Sequence, residues 1–472
     1  MTSELTLVID QGTHATRALA FDAKGLVVAT AHYPIALQRI SADRIEQDAQ
    51  EIVISMHHVI EAVLSDDRVR HRGIARAGMA TQRSSVVAWD INTGEALAPM
   101  LSWQDRRAAA WLGQFAEQEF EIKERTGLPL SPHYGASKLH WLLENVPTVQ
   151  QADRDGRLRF GPLASFLLFH LLRERPLLSD HANAGRTLLW NIDSCDWDPW
   201  LLDLFGLPLK LLPSCRPIVH DYGLLAAGDI PLTAVNGDQN AAVYNLGRPA
   251  PGTAIVNLGT GAFVLVPTGT KRVPHARLLS GLASSDATAR DYTIEGTVNG
   301  AGAAIKWAAD TWQIKDISAQ LPAWLDQAQD PPIFLNSIGG LGSPFWQPGP
   351  SPRIIGQGPP WQQVVAVAES ILFLLQINLE QIAAAGMVVE QIRISGGLAN
   401  LDGLCQRLAD LSGKSVYRPV ETEATARGAA WLASGRPSLW PEEKPGAIFN
   451  PRPNVALSIR YQLFLDELGV ST

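Results

Sequence analysis

The same local pattern occurs twice in this chain, once near the start and once past the middle. Leu7-Val8-Ile9-Asp10-Gln11-Gly12-Thr13 leads into His14-Ala15-Thr16-Arg17-Ala18-Leu19-Ala20-Phe21-Asp22. Ala254-Ile255-Val256-Asn257-Leu258-Gly259-Thr260-Gly261 leads into Ala262-Phe263-Val264-Leu265-Val266. Each is an apolar, β-branched run, a tight turn carrying Gly-Thr, and a second apolar run. That pattern predicts a β-hairpin whose turn exposes backbone N–H groups and a hydroxyl. Turns of this kind cradle anions. One in each half predicts two related domains gripping a single polyphosphate.

At 472 residues the chain is too long for one hydrophobic core, so two or three domains are expected. Apolar residues make up 46% and charged residues 18%, the balance of a soluble globular protein. A net charge of −8 argues against a nucleic-acid partner, which needs a basic face. Cys195, Cys215 and Cys405 have neither metal-binding nor redox spacing, and read as reduced thiols of a cytoplasmic protein. The N-terminus enters a strand without a charged-then-apolar leader. The most apolar windows, 163–172 and 371–375, are too short to cross a bilayer, so no membrane insertion is expected.

The first half reads as strands over 6–10, 17–22 and 26–32, then a helix over 48–64 with apolar Ile52, Met56, Val59, Ile60 and Val63. Strands follow over 75–81 and 86–90, with a further strand running to Trp103. Helices are predicted over 105–121, 136–144 and 163–173. The second half repeats the theme: a hairpin over 252–266, a short strand over 291–295 and a helix over 302–311. A long helix over 362–385 and a strand over 391–394 come next. The remaining elements are a helix over 402–412, a short strand over 416–419 and a helix over 424–433. A last helix is expected over 460–468. The mixture is an α/β layer pattern. Domain cuts are expected at 246 and 435, giving 1–246, 247–435 and a Pro-rich tail, 436–472.

Asp10 ends the first strand at the mouth of its turn. A carboxylate there suits either Mg²⁺ facing turn-bound phosphates or a simple turn cap. Thr13 adds a hydroxyl, and Arg17 a cation for a phosphoryl oxygen or for a solvated face. Gly396-Gly397 follows a strand and opens a helix, so a nucleobase and ribose could lie against bare backbone there, or the pair could be a plain turn. Gly300-Ala301-Gly302 is similar. In Asn236-Gly237-Asp238-Gln239-Asn240, Asp238 is placed to take a proton from an attacking hydroxyl, or to N-cap a helix starting at Gln239; one residue can do both. Arg83 offers a fork of donors and Trp103 an apolar wall for the carbon side of a polyol, and His133 is a candidate for the same pocket.

In this order the motifs resemble the FGGY family of carbohydrate kinases, most closely its glycerol kinase branch. The residues that carry the likeness are Asp10-Gln11-Gly12-Thr13, Arg17, Gln82-Arg83, Trp103-Gln104-Asp105-Arg106-Arg107 and Asn183-Ala184-Gly185-Arg186-Thr187. Further along they are Gly237-Asp238-Gln239, Gly259-Thr260-Gly261, Glu295-Gly296, 339–346 and Gly396-Gly397. The resemblance covers residues 5 to about 435. It implies a two-domain actin/hexokinase-like, ribonuclease H-like ATPase fold with ATP and Mg²⁺ in the cleft. It also implies homodimers or homotetramers.

Carried over by position, the resemblance gives Asp10 to the metal. Thr13, His14, Ala15, Arg17, Gly259, Thr260, Gly302, Lys306, Gly397 and Asn400 go to the nucleotide. Arg83, Ser84, Trp103, His133, Asp238, Gln239 and Phe263 go to the acceptor, with Asp238 as general base. Four departures stand out. Ser84 replaces an acidic residue of glycerol kinases, His133 a tyrosine, His14 a small hydroxylated residue and Lys306 a glutamine. The adenine-side Asn is also one place out of register, with Leu401 following Asn400. The expected activity is ATP-dependent phosphorylation of a hydroxyl on a small sugar or polyol of the glycerol, tetritol or ketopentose class. The alternatives are a non-catalytic or regulatory sugar- or nucleotide-binding protein on the same fold, and an actin-like ATPase.

Overall fold

The computed structural model describes residues 4–420, 423–438, 440 and 446–469. They fall into two compact units. Unit 1 is Met1–Pro249, Gly281–Tyr292 and Glu423–Glu442; unit 2 is Ala250–Ser280, Thr293–Thr422 and Glu443–Thr472. The sequence reading cuts the chain at 246 and 435, whereas these units interleave along it. Of the expected tail, residues 439, 441–445 and 470–472 lie outside the described residues.

Unit 1 is built on a five-stranded sheet in the order Leu232–Gly237, Ile74–Thr81, Leu5–Gln11, Ala15–Phe21, Val27–Pro34. The first three strands are parallel and the last two join antiparallel. All seven residues of Leu5–Gln11 are buried, the apolar Leu5, Leu7, Val8 and Ile9 filling both faces as a covered central strand requires. Leu5, Leu7 and Ile9 share a core with Ile52, Met56, Val59 and Ile60 of helix Ala49–Ser65. That helix starts where the Asp48 carboxylate accepts from the Gln50 and Glu51 amides. Helix Ala424–Ala433 packs on the same sheet through small residues. A Cβ on Gly78 would lie 2.9 Å from the Ala429 carbonyl oxygen.

A second sheet in unit 1 runs Gln38–Arg39, Ile45–Gln47, Met100–Leu101, Val86–Asp90, Leu158–Pro162. Here the structure departs from the predicted elements. The strand expected to reach Trp103 is only Met100–Leu101. The helix expected over 105–121 is broken into Ala109–Leu112, a 3₁₀ segment Gly113–Gln118 and Glu119–Thr126. The reason lies at Asp105, whose buried carboxylate accepts from the Ile45 amide at 2.8 Å and from Arg107 Nε at 2.9 Å. An inward carboxylate tied to a neighbouring strand holds residues 105–108 as a turn.

Unit 2 repeats the strand order. Its sheet runs Leu279–Ser285, Arg290–Val298, Ala262–Gly269, Thr253–Leu258, Gln391–Ser395, Ser415–Arg418, Ala447–Phe449, the first two strands being divided between the units. Thr253–Leu258 is antiparallel to Ala262–Gly269 and parallel to Gln391–Ser395. Helix Pro360–Ala384 is long and apolar enough to cross a membrane, unlike the short window read from the sequence. It is a core helix nonetheless: most of it is buried, and its buried polar groups are paired within the unit. Glu369 accepts from Arg407 Nε at 3.0 Å and Arg460 Nη2 at 2.8 Å, and Asn378 Oδ1 accepts from Ser343 Oγ at 2.7 Å. Arg460 lies on the last helix, Val455–Leu468, which starts five residues before the predicted one because Asn454 caps it.

Gly428, in helix Ala424–Ala433, faces helix Asp238–Ala242, and a Cβ on it would fall 1.7 Å from the Ala241 carbonyl oxygen. Gly→Ala in a helix ordinarily stabilises by about 1 kcal/mol. Here G428A is expected to destabilise by about 1–3 kcal/mol or more through overpacking. Thermal unfolding checks the sign.

Candidate active site

Three parallel strands of unit 1 end side by side. Asp10 and Asn236 are both in register with Ala80, so Asp10-Gln11, Thr81-Gln82 and Gly237-Asp238 leave the same edge of the sheet. Ligands of open α/β sheets bind outside the carboxyl ends of the strands, where the strand order switches direction. The turn after Asp10 is closed by Gly12 N–H donating to the Ala15 carbonyl at 2.9 Å. It is braced by Gln47 Nε2 donating to the Thr13 carbonyl at 2.8 Å and by Ile35 N–H donating to the His14 carbonyl at 2.9 Å. The His14 side chain is exposed at the apex. Trp103 Nε1 donates to Thr13 Oγ1 at 3.0 Å, tying this turn to the predicted acceptor wall.

Arg17 donates to Asp10 Oδ2 and to Glu423 Oε2, both at 2.5 Å. Burial pushes the Asp10 carboxyl up, and the Arg17 guanidinium offsets part of that. Asp10 Oδ1 has no hydrogen-bond partner among the described residues. Glu423, absent from the sequence reading, comes from the far end of the chain. Only the path of helix Ala424–Ala433 brings it to Arg17.

Asp238 is the first residue of helix Asp238–Ala242, and Gly237 occupies the N-cap. The expectation that Asp238 caps a helix starting at Gln239 is therefore off by one residue: its Oδ1 does accept from the Gln239 amide, at 2.7 Å, but from inside the helix. Arg83 Nε stands 3.7 Å from that same oxygen. Asp238 Oδ2 is left without a partner among the described residues. The carboxylate keeps 32% of its side-chain exposure but is recessed in protein. Burial raises its pKa, with Arg83 opposing and Asp10 adding to the rise.

Arg83 is held by Nη1 donating to Asn240 Oδ1 at 2.8 Å and by Nη2 donating to Gln239 Oε1. Trp103 and His133 meet edge to face, 5.7 Å between ring centroids. Ser84 takes a left-handed backbone, φ 63°. Lys138, fully buried, donates to the carbonyls of Ser84 at 2.9 Å and His133 at 2.6 Å, fixing the two positions that depart from glycerol kinases. Unit 1 thus gathers Asp10, Thr13, His14, Ala15 and Arg17 at one turn, and Arg83, Ser84, Trp103, His133, Asp238 and Gln239 beside it.

The other predicted residues belong to unit 2. Gly259 N–H donates to the Gly261 carbonyl at 2.9 Å, closing the second Gly-Thr turn. The amides of Ala301, Gly302 and Ala303 donate back to the carbonyls of Thr260, Gly259 and Thr260. Gly302 therefore contributes closeness rather than a free donor, since a Cβ on it would sit 2.8 Å from the Gly259 oxygen. Gly396, φ 95°, packs against the Leu258 backbone, which brings the Gly396-Gly397 turn to the same strand ends. Beside Gly397 there is open space, and Asn400 is exposed in a 3₁₀ turn, Gly397–Asn400, where the sequence reading opens an α-helix. Lys306 is exposed and paired with Asp310 at 2.9 Å. Phe263 is half-buried on strand Ala262–Gly269.

Two family models cover most of the chain: the N-terminal domain of the FGGY family of carbohydrate kinases matches residues 5–243, and its C-terminal domain matches 254–435. The chain is 34% identical over 456 residues to a glycerol kinase of Agrobacterium fabrum, covering 93% of this chain and 91% of that one. It is 36% identical over 469 residues to a glycerol kinase of Alkalilimnicola ehrlichii, covering 94% of each. In fold it is similar to a Plasmodium falciparum glycerol kinase crystallised with ADP, with a TM-score of 0.89 and 23% identity over 100% of this chain and 99% of that one.

Removing Arg17 strands Asp10 as a buried carboxylate, and R17A is expected to cost about 1–3 kcal/mol of stability. Without the cation the Asp10 pKa rises further. The native state then holds a proton that the unfolded chain has released, so stability falls as pH rises. The deficit against wild type should be larger at pH 8 than at pH 5, as read by urea unfolding.

Proposed function

The chain belongs to the FGGY family of carbohydrate kinases, phosphotransferases with an alcohol acceptor, and we propose that Asp238 is the general base that activates the acceptor hydroxyl. The observation that carries this reading is the division of labour between the two carboxylate oxygens. Oδ1 is engaged by the Gln239 amide and faces Arg83, while Oδ2 is open. The hydroxyl proton passes to Oδ2 as the oxygen attacks the γ-phosphorus of ATP, and ADP leaves. Arg83 orients the acceptor and Trp103 supplies an apolar wall against its carbon side.

Arg17, pinned by Asp10 and Glu423, presents its guanidinium at the turn, where it holds a phosphoryl oxygen of the transferring group. The residues fit a Mg²⁺ ion: Asp10 offers one unpartnered oxygen at a strand end. An ion held by this one carboxylate would complete its shell with phosphate oxygens and water. When bound there, Mg²⁺ would supply charge neutralisation for the nucleotide phosphates. In unit 2 the Gly259-Thr260 turn is assigned to nucleotide phosphates, and the open side of Gly397, with Asn400, to the nucleoside. Lys306 and Phe263 complete those assignments as a nucleotide contact and an acceptor contact. A cytoplasmic location and a homodimeric or homotetrameric assembly belong to the same proposal, supported by three free cysteines and by the family likeness.

D238N is expected to lower kcat by about 10²- to 10⁴-fold, the usual worth of a positioned base, while leaving ATP binding by calorimetry intact. An unaltered kcat sinks the assignment. In the wild type the base form of Asp238 is lost as pH falls through its raised pKa. The acid limb of kcat/KM should therefore lie above the 3.8 of an ordinary aspartate.

A further inference from the structure

The last helix of unit 2, Val455–Leu468, carries apolar residues on both of its sides. Leu457, Arg460, Tyr461, Phe464 and Leu468 face inward and are buried. The opposite side shows Val455, Ala456, Ser458, Ile459, Gln462 and Leu463 to solvent, and none of these six is charged. Val455, Ile459 and Leu463 are spaced four apart and form one row along the helix, 70%, 55% and 46% exposed. A surface helix ordinarily turns charged and polar residues outward. A contiguous row of large aliphatic side chains on that side marks a contact surface.

The two ends of the helix decide what covers that row. The first turn carries no acidic residue and the last turn no basic one. Instead Asp466 and Glu467 stand at the carboxyl end, where the helix dipole is itself negative. Asp466 accepts from the neutral amide of Gln462 at 3.1 Å, and Glu467 has Arg353 at 3.8 Å. Arg452 is exposed, two residues before the cap Asn454. The face is therefore basic at one end, acidic at the other and uncharged between, which makes it complementary to itself when turned end for end. About a two-fold axis through Ile459, positions equally distant from it meet: Val455 faces Leu463 of the other copy, and Arg452 faces Asp466. Asp466 then also lies beside the positive amino end of the other helix. Ala456 and Ser458, both small, let the two backbones approach closely. We propose that a second copy of this chain covers the face, with the two Val455–Leu468 helices packed antiparallel about that axis. The inference rests on the homo-oligomeric reading given above and names its surface.

A helix of 14 residues makes an interface at the low end of those that hold a dimer, so a concentration-dependent equilibrium with a Kd of about 1–100 μM is expected. Analytical ultracentrifugation of the full chain reads it. I459E sets two carboxylates against each other on the axis and is expected to raise that Kd by about 100-fold or more. R452E or D466K alone is expected to raise it by about 3- to 10-fold, since the pair occurs twice, and the double variant R452E/D466K to return toward wild type. I459C is expected to form an intermolecular disulfide under mild oxidation, whereas V388C, an exposed site elsewhere on unit 2, is not. Unchanged thermal unfolding shows that each variant is folded. An oligomer that I459E leaves intact overturns the inference and leaves the homo-oligomeric reading standing. A wild-type chain still monomeric at about 200 μM overturns both. Co-sedimentation of that monomer, but not of I459E, with phosphatidylcholine vesicles makes a lipid surface the occupant instead.

Discussion

Everything proposed for unit 1 depends on the in-register ending of three parallel strands. Asp10, Gln82-Arg83 and Asp238 come from three segments far apart in sequence, yet Asp10 stands in the row shared with Ala80 and Asn236, and Gln82 and Asp238 each follow two residues after it. Strands can be stacked this way only if both sheet faces are covered, which is why Leu5, Leu7, Val8 and Ile9 are all buried and why two helices pack on the sheet. Helix Ala424–Ala433 is the less obvious of the two. Its small residues let it approach Gly78 and Ala241 at backbone distance, and its N-terminal end delivers Glu423 to Arg17. The covering helix is thus also part of the site.

Two kinds of electrostatics share the edge. Asp10 and Asp238 are both raised by burial, and the cation beside each opposes that rise. The cations are held differently. Arg17 is clamped by two carboxylates and Arg83 by two amide oxygens, geometries that fix direction without neutralising everything around them. Lys138 spends its charge on two carbonyls and so sets the backbone at Ser84 and His133.

Much of this was legible in the sequence because it is local. The Gly-Thr turns, Asp10 at a strand end and the apolar face of helix Ala49–Ser65 follow from periodicity and turn chemistry within a few residues. The ordered motifs carried the family. What was not legible depends on distant pairing. Glu423 meets Arg17 across most of the chain, and nothing near either residue announces it. The turn at 105–108 replaces a helical start because the Asp105 carboxylate reaches the Ile45 amide, a tertiary contact that overrides the local pattern. The position of Asp238 inside its helix, with Gly237 as cap, was missed by one residue, as helix boundaries commonly are.

The repeated strand order gives the two hairpins the same frame, so differences between them are informative. Aligning the Gly-Thr turns sets Asp10 against Asn257 and Gln11 against Leu258. One turn carries a buried carboxylate with a cation clamped to it, and the other carries a neutral amide. The carboxylate suits a metal and the charge of a transferring group. The neutral turn has its carbonyls consumed by the amides of Ala301, Gly302 and Ala303, which makes it a rigid backbone platform without a charge of its own. A frame that fixes strand ends so firmly leaves chemistry free to diverge at a single residue, and Asp10 against Asn257 is where these two hairpins have diverged.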